Sequence, residues 1–95
     1  MPIDAEAFSE IRWLKNLEWL TVFHSSISTA ASACLKELPN LRELWWPSSA
    51  VTLDNVQDFA EIPNLELLDI IGDPLPRVIV NALWTALPQC KLETE

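Results

Sequence analysis

A chain of 95 residues, 49% of them apolar, can close one modest hydrophobic core, with no room for a second, catalytic domain. Its formal charge of −8, from 14 acidic against 6 basic residues, leaves no basic stripe for phosphates or anionic lipid, so nucleic acid and membrane surfaces are poor partners. The first residues, Met1-Pro2-Ile3-Asp4-Ala5-Glu6, lack the apolar run of a leader or membrane span, which makes a cytoplasmic location the expectation.

In chain order, Ile3 is an apolar anchor and Asp4 caps a helix expected over residues 5–14, with Phe8 and Ile11 on its buried side. Trp13-Leu14-Lys15-Asn16-Leu17 then leads into a strand over residues 17–23. Period-2 alternation turns Leu20 and Val22 inward and Trp19, Thr21 and Phe23 outward. Ser25 closes this strand, Ile27 is the next anchor and Ser28 the next cap, followed by a helix over residues 29–38 with Leu35 and Leu38 buried. After Leu38-Pro39-Asn40-Leu41, a second strand places Leu44 and Trp46 inward and Glu43, Trp45 and Pro47 outward.

The cycle repeats with Ser49, the anchor Val51, the cap Thr52 and a helix over residues 53–62 that buries Val56, Phe59 and Ile62. Ile62-Pro63-Asn64-Leu65 opens the third strand, with Leu68 and Ile70 inward and Leu67, Asp69 and Ile71 outward. Gly72 and Asp73 mark its turn, Leu75 is the anchor, and Pro76 stands where a cap is due, at a position suited to the first turn of a helix. The last helix, residues 77–87, buries Ile79, Leu83 and Leu87, and Leu87-Pro88-Gln89-Cys90 leads to a short fourth strand carrying Lys91, Glu93 and Glu95. Pro39, Pro63 and Pro88 stop the helices before them. Ser25, Ser49 and Asp73 stand where a side chain must bond backbone groups as the chain leaves the sheet.

Four copies of one phrase, aligned on Asn16, Asn40, Asn64 and Gln89, divide the chain into units of residues 3–26, 27–50, 51–74 and 75–95. With Leu17, Leu41 and Leu65 followed by Leu20, Leu44 and Leu68, this pattern resembles the leucine-rich repeat superfamily over essentially the whole chain. Particularly similar is the bacterial style that closes on Leu-Pro-x-Cys-x-apolar, here Leu87-Pro88-Gln89-Cys90-Lys91-Leu92. The resemblance implies an α/β fold, a right-handed solenoid of four helix-strand units with a short parallel sheet, and protein recognition on the sheet.

Outward positions hold the functional expectation. Six of the nine (Trp19, Phe23, Trp45, Pro47, Leu67, Ile71) are apolar, and strands ~4.8 Å apart would join them into one patch. Trp19, Thr21, Phe23, Glu43, Trp45, Leu67, Asp69 and Ile71 are therefore the expected partner-binding residues, with Glu18 and Glu66 adding to an acidic rim. Mutual packing of Trp19, Phe23 and Trp45 is the competing reading. Trp13 and Trp84 are expected to pack against adjacent helices or cover an open flank. The outer edge of strand one has no expected neighbour and one guarding charge, Glu18, which nominates residues 17–23 for self-association.

No chemistry of a catalytic kind is assembled. His24 is the sole histidine, Cys34 and Cys90 read as buried thiols too far apart to bridge, and the carboxylates Asp54, Asp58 and Glu61 share an exposed helix side. Neither cofactor nor metal is expected. The expectation is a non-enzymatic module that binds a protein, a basic partner being compatible with its charge. Alternatives are a small acidic immunity- or antitoxin-like inhibitor of a basic effector, and a structural fragment or engineered minimal repeat scaffold.

Overall fold

The structure is a computed structural model, and it describes residues 2–3, 11–22 and 29–94. The expected helix start at Asp4, the buried Phe8, the turn residues His24 and Ser25, the anchor Ile27, the cap Ser28 and the outward Phe23 lie outside the described residues. The chain is mixed α/β. Five strands, β1 (Pro2–Ile3), β2 (Trp19–Val22), β3 (Glu43–Pro47), β4 (Leu67–Ile71) and β5 (Lys91–Thr94), form one parallel sheet in sequence order.

Register follows the period of the repeated phrase through the sheet. Trp19 stands opposite Glu43, Glu43 opposite Leu67 and Leu67 opposite Lys91, the same step each time. The last copy of the phrase, with Gln89 in the place of Asn64, comes one position late, yet the strands still pair at the common step. The difference is absorbed locally, because Leu92 follows Cys90 by two positions whereas Leu44 follows Leu41 by three. A sheet whose inner face is buried holds its register, since a slip of one residue would turn every side chain over.

Alternation sorts the strands as expected, with Leu20, Val22, Leu44, Trp46, Leu68 and Ile70 all essentially inaccessible. Together with Ile11, Leu35, Leu38, Leu41, Val56, Phe59, Ile62, Leu83, Leu87 and Cys90 they form one core between the sheet and the returning segments. At its centre Trp46 meets Phe59 edge to face, ring centroids 5.6 Å apart, and its indole N–H donates to the carbonyl of Ala50 at 3.1 Å.

The returning segments differ from the expected row of α-helices. Among the described residues Thr29–Glu37 winds as a 3-10 helix, Ile11–Trp13 and Leu53–Asn55 are short 3-10 turns, and Val56–Ala60 (α1) and Arg77–Ala86 (α2) are α-helical. Spacing of the buried side chains fits both forms, since Val56 and Phe59 of α1 are also three apart. In the 3-10 segment the inward positions Ser32, Leu35 and Leu38 fall three apart, the period at which a 3-10 helix stacks its side chains in one row. In α2 the core-facing Ile79, Leu83 and Leu87 fall four apart, which suits 3.6 residues per turn. Nine residues of 3-10 helix rise about 18 Å and ten of α-helix about 15 Å, so either one returns the chain along a five-residue strand of about 17 Å.

Side-chain hydrogen bonds join one copy of the repeated phrase to the next. Asn40 Nδ2 donates to the carbonyl of Lys15 at 2.8 Å, and Asn64 Nδ2 donates to that of Pro39 at 2.6 Å. Each asparagine thus bonds the backbone of the preceding copy, beside the leucines that enter the core.

Where the chain leaves β3 the backbone is held mainly by a residue outside the expected turn positions. Asn55, 3% exposed, donates through Nδ2 to Ala50 O at 2.7 Å and accepts from the backbone N–H of Thr52 at 2.8 Å. Ser49, the expected bonding residue, is exposed in the Ser48–Ala50 3-10 turn. After β4 the chain turns at Gly72, whose φ of +116° is disfavoured for any residue with a Cβ, and a Cβ there would lie 2.9 Å from Ser48 Oγ. Gly72→Ala is accordingly expected to lower stability by about 1–3 kcal/mol in urea denaturation. Combining it with Ser48→Ala should recover only the part due to crowding, and an unchanged midpoint for Gly72→Ala would contradict this backbone conformation.

Candidate functional site

The sheet face opposite the core is built by the residues between the inward leucines. Pairing arranges them in rows across the strands: Trp19, Glu43, Leu67 and Lys91 in one, Thr21, Trp45, Asp69 and Glu93 in the next, and Pro47 beside Ile71 in a third. Of the expected binding residues, Trp19 is 47% exposed, Ile71 38% exposed and Glu43 exposed, while Thr21, Trp45, Leu67 and Asp69 are half-buried. Phe23 lies outside the described residues.

Trp19 and Trp45 pack on each other edge to face, with centroids 6.4 Å apart and planes at 87°. Trp19 and Trp45 thus combine mutual packing with exposure, while Phe23, the third ring of the competing reading, lies outside the described residues. The two rings come from diagonal positions on neighbouring strands, a separation that only large side chains bridge.

Pro47 departs from its outward assignment, for it is buried. It is the last residue of β3, paired with Ile71, and the chain runs from it directly into the Ser48–Ala50 turn. The tryptophans assigned to helix packing depart in the other direction. Trp13 is 66% and Trp84 58% exposed, so neither serves as a cover sealed against its neighbours.

The outer edge of β2 is not bare. Pro2 and Ile3 of β1 pair with Thr21 and Val22, which removes much of the ground for expecting self-association through residues 17–23. Ile3, read as an anchor only, had the strand hidden in it, because a two-residue strand shows no alternation.

Charges rim the face in an orderly way. Arg42 reaches Glu66 through two hydrogen bonds, 2.8 Å from Nε and 3.3 Å from an Nη, and lies 3.8 Å from Glu18. The hydrogen bond from Arg42, then its charge, holds the Glu66 carboxyl below its ordinary range, and the same pair raises the guanidinium. These side chains are solvent-exposed, so the cluster orients more than it stabilises. On β5, Lys91 pairs with Glu93 at 3.3 Å. Lys91 and Glu93 extend the rows of Leu67 and Asp69, and one further step of the repeat from those two in the sequence would have found them.

An open depression of about 460 Å³ lies over Asn16, Glu18, Asn40 and Arg42, past the N-terminal ends of the strands. Its cation is the already paired Arg42 and its Asn40 amide is committed to Lys15 O. A second, of about 420 Å³, runs along Trp13, Leu14, Lys15, Asn16 and Leu17.

On the helical side, Asp58 is half-buried rather than exposed. It accepts the hydroxyl of the fully buried Ser32 at 2.7 Å, tying α1 to the 3-10 segment, whereas Asp54 and Glu61 are exposed as expected. Neither Cys34 nor Cys90 is in a disulfide, and burial pushes the Cys90 thiol up. Among the described residues no group of three or more His, Cys, Asp and Glu side chains could hold a metal ion, and no helix is long and apolar enough to cross a membrane. No protein-family model matches the chain, and the search of curated proteins finds no match, so the geometry of the sheet face carries the functional reading.

Proposed function

We propose that this chain is a right-handed leucine-rich repeat solenoid, its units spanning residues 3–26, 27–50, 51–74 and 75–95, and that it recognises a partner protein through the sheet face without catalysing a reaction. What supports the repeat reading is the constant register carried through β2 to β5 and the asparagine bonds between successive phrases. One observation carries the binding reading. Trp19 and Trp45 stand edge to face on a sheet surface that also presents Leu67 and Ile71, and they stay accessible there. Accessible tryptophans set beside aliphatic groups and rimmed by charge are the composition of an interface centre.

The test is a comparison of variants against whatever purified protein the wild type binds. Trp45→Ala is expected to weaken binding by at least about 10-fold, the scale of an interface anchor, while Trp84→Ala on the helical side leaves it unchanged. Binding that survives Trp45→Ala but is lost on Trp84→Ala would move recognition to the helices and defeat the proposal.

A further inference from the structure

We infer that the corner made by Trp19, Trp45 and Glu43 is a seat for an arginine side chain presented by the partner protein; the inference rests on the sheet face being the recognition surface. Trp19 stands opposite Glu43, and Thr21 opposite Trp45. These four outward positions form the corners of a rectangle about 4.8 Å across strands and about 6.8 Å along them. The indoles take one diagonal, so Glu43 is the immediate neighbour of both. Because the rings meet at 87°, they make two walls of an angle rather than a flat stack, and Glu43 stands exposed beside them.

The charge around this corner selects the guest. A cation is drawn to an indole face within about 6 Å of the ring centre, and a guanidinium can lie on one ring while its N–H groups bond a carboxylate. Among the described residues Arg42 is paired with Glu66 and Glu18 while its charge also acts on Glu43, and Lys91 is paired with Glu93 at the far side of the sheet. Glu43, by contrast, makes no ion pair among the described residues. Next along the row from Trp45 stand Asp69 and then Glu93, the latter paired with Lys91, on a chain of net charge −8. An acidic guest would be repelled, and a purely aliphatic one would cover Glu43 without offering it a donor. Arginine answers both walls and the carboxylate, and it is less strongly hydrated than lysine.

The experiment titrates the wild-type protein with the blocked tripeptide Leu-Arg-Leu and with the same peptide carrying citrulline, the uncharged isostere of arginine. Indole N–H resonances are followed by nitrogen-edited NMR, with Trp19 and Trp45 assigned through their Phe variants. The arginine peptide is expected to shift both resonances. Its affinity should fall about 5-fold on exchange for citrulline, and by a similar factor in Glu43→Gln, with further weakening as salt is added. Equal binding of the citrulline peptide, or no effect of Glu43→Gln, would overturn the arginine seat while leaving an apolar recognition face standing. Failure of either peptide to shift either indole also overturns the seat, and the Trp45→Ala comparison above then decides separately whether the face binds a partner at all.

Discussion

Trp46→Ala is expected to lower the unfolding free energy by about 3–5 kcal/mol, whereas Trp45→Ala, one residue away, should cost far less. Trp46 is fully enclosed, packs edge to face on Phe59 and donates its indole N–H to Ala50 O. Its removal takes away the largest buried side chain of the core and leaves a cavity between the sheet and α1. A chain of this size is held by roughly 5–14 kcal/mol in all, so the loss is a large part of the total. Trp45 is half-buried on the opposite face, where truncation removes contact with Trp19 and opens no enclosed space. Urea denaturation of the two variants measures the difference directly. Because a one-residue slip in β3 would exchange the two positions, equal midpoint shifts would refute the register described above.

The second large effect is expected at Asn55, where substitution by leucine should destabilise by about 2–3 kcal/mol despite the gain in apolarity. Its carboxamide donates to Ala50 O and accepts from Thr52 N–H in a buried site, and leucine can do neither. Asn55→Asp separates the two bonds. The introduced carboxylate still accepts from Thr52 N–H but faces the Ala50 carbonyl without a proton, so burial and that carbonyl both raise its pKa in the folded state. A folded-state pKa above the unfolded one means the folded protein binds the extra proton, so stability is greatest below the unfolded pKa and falls as pH rises through the folded one. The variant should therefore melt higher, relative to wild type, under mildly acidic conditions than at neutral pH. A pH-independent difference between the two proteins would show that Asn55 does not donate to Ala50 O.

Much of the fold was legible because the two faces of a strand read as two residue classes. Leu20, Val22, Leu44, Leu68 and Ile70 alternate with their outward neighbours, and all five are buried. Even Trp46 obeyed parity against its size. The helical type of the returning segments was not legible, because buried residues three apart occur both in the 3-10 segment (Ser32, Leu35) and in α1 (Val56, Phe59). Pro47 is buried at the last position of β3, beside the Ser48–Ala50 turn, and β1 was missed because two residues carry no period.

For the candidate site, the eight residues named from alternation were placed by period alone, and the structure aligns the seven that it describes in rows on one surface. What period cannot supply is how side chains from different strands meet. That Trp19 and Trp45 pack edge to face, that Arg42 is engaged by Glu66 and Glu18, and that Asp58 takes the Ser32 hydroxyl all depend on rotamers chosen among neighbours a whole repeat away in the chain.

The sequence by itself determined which residues enter the core and the constant step between strands, because burial of an apolar face rewards any chain that repeats its pattern in register. Only the tertiary structure decided which outward side chains lean together, which charges are already paired, and that Asn55 rather than Ser49 holds the backbone leaving β3. Those choices turn on hydrogen-bond geometry over a few ångströms, and residue order carries no record of it.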